Sequence, residues 1–215
     1  MRWRMGRGAL AMLGMTAVLL AAARAHAGAV VLGPGSELWI EGTSTMHDFT
    51  CRSKAVVLDA AIDTVGTDAH GLQALIRALG VHGLKLRVPV ASLRSEKEGL
   101  DKNLRKTMEA ERFPNVDFTL ARYTARAAGG DTLALRGTGA LAIHGVTREQ
   151  GLDATAWVGD GGVWLLGAQV LKMSEFGITP PTMMLGALKV RDPITVHYRL
   201  LLVPAPANAP AGVVR

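Results

Sequence analysis

The chain has 215 residues, a formal net charge of +6 and one cysteine, so an internal disulfide is excluded and stability must come from packing and backbone pairing. The excess positive charge lies at the start: Arg2, Arg4, Arg7 and Arg24 fall within the first 27 residues, with no acid among them. The remaining 188 residues carry 20 basic and 18 acidic side chains, net +2, without the dense basic patch that nucleic-acid binding requires.

Residues 1–27 read as a cleavable export signal. The basic start is followed by a 15-residue apolar run, Ala9–Ala23, and then by Ala25-His26-Ala27, an A-x-A cleavage pattern. A helix of that length rises about 22 Å, short of the roughly 30 Å hydrocarbon core, so a permanent span is not expected. No cysteine follows the run to take a lipid anchor. The working chain is therefore expected to be exported, with one domain over 28–203 and a disordered Ala/Pro-rich tail over 204–215.

After the signal, period-2 alternation predicts strands. The predicted spans include Glu37–Thr43, Val56–Asp63, Leu84–Ala91, Val116–Ala125, Leu133–Ile143, Gly151–Val158, Val163–Met173 and Ile194–Leu202. Gly129-Gly130-Asp131 and Gly159-Asp160-Gly161-Gly162 mark hairpin turns. Two segments have helical spacing instead: His70–Leu79, with Leu72, Leu75, Ile76 and Leu79 in register, and Lys97–Glu111, with Leu100, Leu104 and Met108 on one stripe. Asp101 is expected to cap the second helix and Pro114 to stop it, and both helices are expected on the surface. Pro180 and Pro181 interrupt any regular strand before Met183 and Met184. About eight strands without crossover helices predict an all-β fold, an antiparallel sheet closed into a barrel, which disposes of its edges and leaves room for one small ligand.

No catalytic signature is present. Thr43–Asp48 gathers Ser44, His47 and Asp48, but neighbours along one strand point to opposite faces, so a hydroxyl-rich turn is the expected role. The histidines lack metal-ligand spacing, and His197 falls on the polar phase of the last strand. Cys51, in an expected strand and without a flanking His or CxxC partner, reads as a small buried residue.

Five pieces in order carry a resemblance: Trp39–Phe49 (WIEGTSTMHDF), Val88–Leu93 with Gly99–Leu104 (VPVASL, GLDKNL), Phe113–Phe118 (FPNVDF), Gly139–Thr147 (GALAIHGVT) and Phe176–Pro181 (FGITPP). Together they resemble the YceI-like domain family, exported bacterial proteins of lipocalin-like shape that bind polyisoprenoid lipids. The chain departs from the family pattern at Arg148-Glu149, where Lys-Pro is common, and in a longer, more apolar Asp68–Gly83. The resemblance implies an extended eight-stranded antiparallel barrel around an apolar tunnel. It implies a periplasmic binder or carrier of a polyprenyl phosphate or isoprenoid quinone and supplies no catalytic residue; no cofactor and no metal are expected, and transient membrane contact is left open. It leaves open whether two copies pair. The side chains expected to line the tunnel are Val56, Leu58, Leu86, Val88, Phe118, Leu120, Leu141, Ile143, Trp164, Met183, Met184, Val196 and Tyr198. An exported enzyme using Ser44, His47 and Asp48, and a structural protein with a filled barrel, are the alternatives.

Overall fold

The computed structural model describes residues 28–63, 68–183 and 187–205. The expected signal, Met184 and residues 206–215 of the expected tail lie outside them.

In chain order the elements are β1 (Gly28–Leu32), β2 (Glu37–Ser44), β3 (Asp48–Ser53), β4 (Val57–Ile62), α1 (Ala69–Arg77), β5 (Val81–Pro89), α2 (Glu98–Thr107), β6 (Asn115–Gly129), β7 (Thr132–Ile143), β8 (Val146–Gly159), β9 (Gly162–Lys172), β10 (Thr182–Met183) and β11 (Leu188–Pro204). The strands form where apolar side chains alternate. In β7, Leu133, Gly137, Gly139, Leu141 and Ile143 are buried on one face, while Ala134, Arg136 and Ala140 are exposed on the other. Two-residue turns join the long strands. His144-Gly145 links β7 to β8 and Asp160-Gly161 links β8 to β9, each with both φ angles positive (51° and 77°; 51° and 73°), the geometry that matches strand twist.

All pairings are antiparallel, in the order β1-β4-β5-β6-β7-β8-β9-β11-β2-β3, with β10 added on β11. At one end the sheet curls until it meets itself, because β1 pairs both with β4 and, from Val30↔Pro204 to Leu32↔Leu202, with β11. At the other end it stays open. Beyond its ladder with β2, β3 has only the isolated bridge Arg52–Arg94. The closed eight-stranded barrel is therefore corrected to a curled, open antiparallel sheet of more strands. Pro89 ends β5 and residues Val90–Ser92 form a 3-10 turn, so no strand runs along the free edge of β3. The break between β1 and β2 is held by Ser36, whose hydroxyl accepts from Leu201 N (3.0 Å) and donates to Gly33 O (2.8 Å). The strand β11 itself takes in Pro204, the first residue of the expected tail.

The two helices differ in how they are held. Asp68 caps α1, accepting from Gly71 N at 2.7 Å. Its apolar stripe, Leu72, Leu75 and Ile76, is buried inside the curled end against Leu133, Ala156, Val163 and Leu202. The helix is thus an inserted plug rather than a surface cover. The Tyr123 hydroxyl of β6 donates to Ile76 O (3.0 Å), and Gln73 Nε2 donates to Asp131 O. By contrast Asp101 is the only buried residue of α2.

Asp101 does not cap α2 as expected; Lys97 holds that position without a side-chain bond. Asp101 sits one turn in, where Ser95 donates its backbone N–H and its hydroxyl to Oδ1, both at 2.7 Å, and Arg94 Nη1 lies 3.7 Å from Oδ2. Burial pushes the carboxyl up, but the two Ser95 bonds and the charges of Arg94 and Arg105 outweigh it and leave the carboxyl below its ordinary value. A depressed folded pKa contributes stability that is complete above the ordinary carboxylate range and is lost as pH falls through the folded value. Asp101→Asn is expected to be less stable than the parent at pH 7, with the gap narrowing toward pH 3; urea midpoints across that range would show it, and a gap independent of pH would contradict it.

Candidate functional site

The inner face of the sheet encloses a cavity of about 300 Å³ with an almost wholly apolar wall. This falls at the lower end of the range of small-molecule pockets, about 300–1,000 Å³. The cavity joins two packed clusters. One is centred on α1 at the curled end. The other, at the open end, contains Phe118, Leu141, Ile143, Leu171, Phe176 and Ile178.

Nine of the expected lining residues stand on its wall: Val56, Leu86, Val88, Phe118, Leu120, Leu141, Ile143, Val196 and Tyr198. Leu58 faces inward, pairs with Leu86 and packs against the α1 cluster, but is not on the cavity wall. Trp164 is corrected to the outer face, where Arg199 lies over its ring and its Nε1 donates to Asp160 Oδ2 (2.8 Å). The inward residues of β9 include Leu165, Gln169 and Leu171. Met184 is outside the described residues, and of Met183 only the backbone pairing with Leu188 is described. Met108 and Met173 are the methionines found on the wall.

Several wall residues escaped the sequence reading for an identifiable reason. Register shifts between Leu120 and Arg122 and between Asp59 and Ala61 reverse the alternation along β6 and along the β4–β5 pair. Tyr123 and Val81 consequently face inward beside Leu120 and Leu84 although their sequence parity differs. From α2 come Leu100, Leu104 and Met108, the stripe read as a surface helix.

The two phenols of the wall, Tyr123 and Tyr198, are satisfied internally. The Tyr198 hydroxyl crosses β9 to donate to Asp153 O of β8 at 2.7 Å. It can do so only because residue 167 is glycine: a Cβ there would overlap the phenol oxygen and Asp153 O. Burial, with a smaller push from Asp153, raises this phenol to about 12, so it remains a neutral donor at any physiological pH. Phe118 and Phe49 use the same device, lying over Gly139 and Gly42 where side chains would collide with the rings. Aromatic surface is thereby laid flat along the wall instead of filling the interior.

Ser44, His47 and Asp48 do not line the cavity. Ser44 donates to His47 O (2.6 Å) and accepts from His47 N and Met46 N, the local bonding of a turn. Thr45 ties that turn to the β10–β11 hairpin, donating to Ala187 O (2.8 Å) and accepting from Lys189 N (3.1 Å). His197 is on the outer face, stacked on Trp39 at 4.9 Å with its Nε2 3.1 Å from Glu41 Oε2. Cys51 is fully buried, and burial, aided by Asp101, pushes its thiol up to about 11, which suits a packed residue and not a nucleophile. Among the described residues no three metal-ligating side chains come together.

The family model of the YceI-like domain matches residues 40–202. Among solved structures, BcnA from Burkholderia cenocepacia superposes with a TM-score of 0.58 at 15% identity, covering 77% of this chain and 94% of that one. A polyisoprenoid binding domain from Saccharophagus degradans, implicated in plant cell wall breakdown, also gives 0.58, at 13% identity, with 84% and 100% covered. The Campylobacter jejuni YceI protein gives 0.52 at 20% identity, with 72% and 83% covered. At these identities the likeness establishes the shared fold. No curated protein sequence matches the chain.

Proposed function

Because this chain belongs to the YceI-like domain family, we propose that it is an exported binding protein that holds the tail of an isoprenoid-type amphiphile in the cavity of its curled sheet. One observation carries the reading: a ligand-sized cavity runs between the two apolar clusters, and its wall offers hydrocarbon surface almost everywhere. Each CH₂ moved from water onto such a wall gains about 0.8 kcal/mol. Ordering the chain and losing the membrane alternative offset much of that gain, so binding is expected to be reversible, as a carrier requires. The nine sequence-selected wall residues, with Leu58 behind them, are the proposed contacts. The cavity also disfavours the filled-barrel alternative, and the position of Ser44, His47 and Asp48 removes the support for an active site.

The signal-like first 27 residues support a periplasmic location, where an apolar molecule outside a bilayer needs shelter from water. Loading and unloading then involve brief contact with a membrane. The polar end of the ligand is either a quinone ring or a phosphate. Equilibrium titration with decylubiquinone and with farnesyl phosphate separates the two: saturable, stoichiometric binding of either supports the carrier reading, and binding of neither overturns it.

A further inference from the structure

The two ends of the cavity are closed by different means, and the difference assigns a route into it. At the curled end the sheet pairs round through β1, and α1 is driven into the ring with Leu72, Leu75 and Ile76 at most 3% exposed. Tyr123 and Gln73 bond that helix to β6 and to the β6–β7 turn. At the open end no ladder joins β3 to the segment after β5. The two strands of chain share one backbone bridge, Arg52–Arg94, where each N–H donates to the other carbonyl (2.7 and 2.8 Å), and beside it one hydroxyl pair, Ser53 Oγ and Ser92 Oγ, 2.7 Å apart. Next to this seam lies α2, which contributes Leu100 and Leu104 to the cavity wall, joined by Met108 just past its end, and buries none of them fully.

Each end of α2 has its own fastening. Before it, Ser95 and Arg94 fasten Asp101. After it, Glu109 turns the chain with φ 44°, its carbonyl accepts from Arg112 N and Phe113 N (both 2.8 Å), and its carboxylate lies 3.2 Å from His144 Nε2. Phe113 packs edge-on against His144, with centroids 4.7 Å apart, and lies where a Cβ of Gly145 would stand. Three of the five pieces that carry the family resemblance, those containing Asp101, Phe113 and His144-Gly145, therefore meet at the ends of one helix. None of these four residues lines the cavity. Asp101 is bonded at the first turn of α2, and Phe113, His144 and Gly145 pack together just after its last turn.

From this geometry we infer that α2 is the gate of the ligand portal. It swings on the Glu109–Phe113 turn packed against His144-Gly145, opens the seam beside β3 when the Ser95–Asp101 latch releases, and admits the apolar chain toward the fixed plug α1. The inference rests on the carrier reading. It also gives that reading its mechanism, a way for a long apolar chain to reach the cavity past the seam beside β3.

A gate acts on rates in both directions, whereas a contact residue acts on affinity. Stopped-flow uptake and release of a dansyl-labelled farnesyl probe by the parent, Ser95→Ala and Asp101→Ala tests this. Loss of charge-assisted bonds at the latch is expected to speed both uptake and release by about tenfold and to leave their ratio within about twofold. Hydrogen exchange of the parent protein adds a readout that needs no variant: α2 amides are expected to exchange well before those of α1, and to slow when the probe is bound. If the parent binds the probe but the latch variants leave both rates unchanged, or change the affinity alone, the gate is refuted while the carrier reading stands. Exchange in α2 as slow as in α1 also refutes the gate. If the parent does not bind the probe at all, the carrier reading fails and takes the gate with it.

Discussion

Leu152→Trp is expected to weaken binding of an isoprenoid probe about 100-fold while leaving the fold in place. Leu152 stands half-buried on the cavity wall in β8, paired with Gly137 of β7. An indole at this point projects into a space of only about 300 Å³. The wall around it cannot give way easily, because β7 and β8 are laddered over their whole length from Thr132↔Trp157 to Ile143↔Val146. Displacing three or four CH₂ groups of ligand at about 0.8 kcal/mol each removes roughly 2.4–3.2 kcal/mol, a loss of about 100-fold in affinity. The strain of the larger side chain costs about 1–3 kcal/mol of stability. Titration with the dansyl-farnesyl probe, alongside far-UV circular dichroism to show that the fold persists, gives the result. Undiminished binding by a folded Leu152→Trp protein would mean that the ligand lies elsewhere.

Phe176→Ala is expected to have the largest effect on stability, a loss of about 3–5 kcal/mol. Phe176 is 1% exposed and closes the open end from the 3-10 turn Met173–Phe176, where Gly177, at φ 69°, lets the chain reverse toward Ile178. Its ring packs with Phe118, Leu141, Ile143, Leu171 and Ile178, which hold β6, β7 and β9 together where no α1 fills the interior. Like the other buried residues of this cluster it borders the cavity, so its removal enlarges the site. An apolar ligand can refill part of the space. The dansyl-farnesyl probe is therefore expected to raise the thermal midpoint of Phe176→Ala by more than it raises that of the parent. A loss below about 1 kcal/mol would show that the open end is not packed as described.

The sequence made the strands legible because one buried face imposes a period of two, and the turns legible because Gly129-Gly130 and Asp160-Gly161 adopt the positive φ angles that hairpins need. It left the closure of the sheet illegible. Whether β3 finds a partner depends on where Pro89 sends the chain, and whether β1 reaches β11 depends on the far ends of the molecule. Neither is a local property. On the wall, alternation is legible where it is one-sided, and it places Leu141 and Ile143 of β7 and Val196 and Tyr198 of β11 beside the cavity. It failed in β9, where Trp164, Leu166 and Val170 make the outer face as apolar as the inner one; Leu166 and Val170 are 42% and 59% exposed. With both faces apolar, hydrophobicity cannot choose the phase, and the polar inward residue Gln169 points the choice the wrong way. The bulges before Tyr123 and near Gly83 hid further wall residues, since a slip of one position reverses every side chain after it. The part played by α2 was hidden for another reason: its polar composition describes its outer face, while its function lies in the three apolar side chains turned inward and in the bonds at its ends.

The carrier reading predicts a bound molecule, and native mass spectrometry of the gently purified, detergent-free protein, followed by lipid extraction, looks for it directly. The expected spectrum shows one adduct per chain, released on unfolding and extracted as an isoprenoid amphiphile, and its absence from Leu152→Trp. Protein that remains free of adduct and takes up neither decylubiquinone nor farnesyl phosphate would contradict the account.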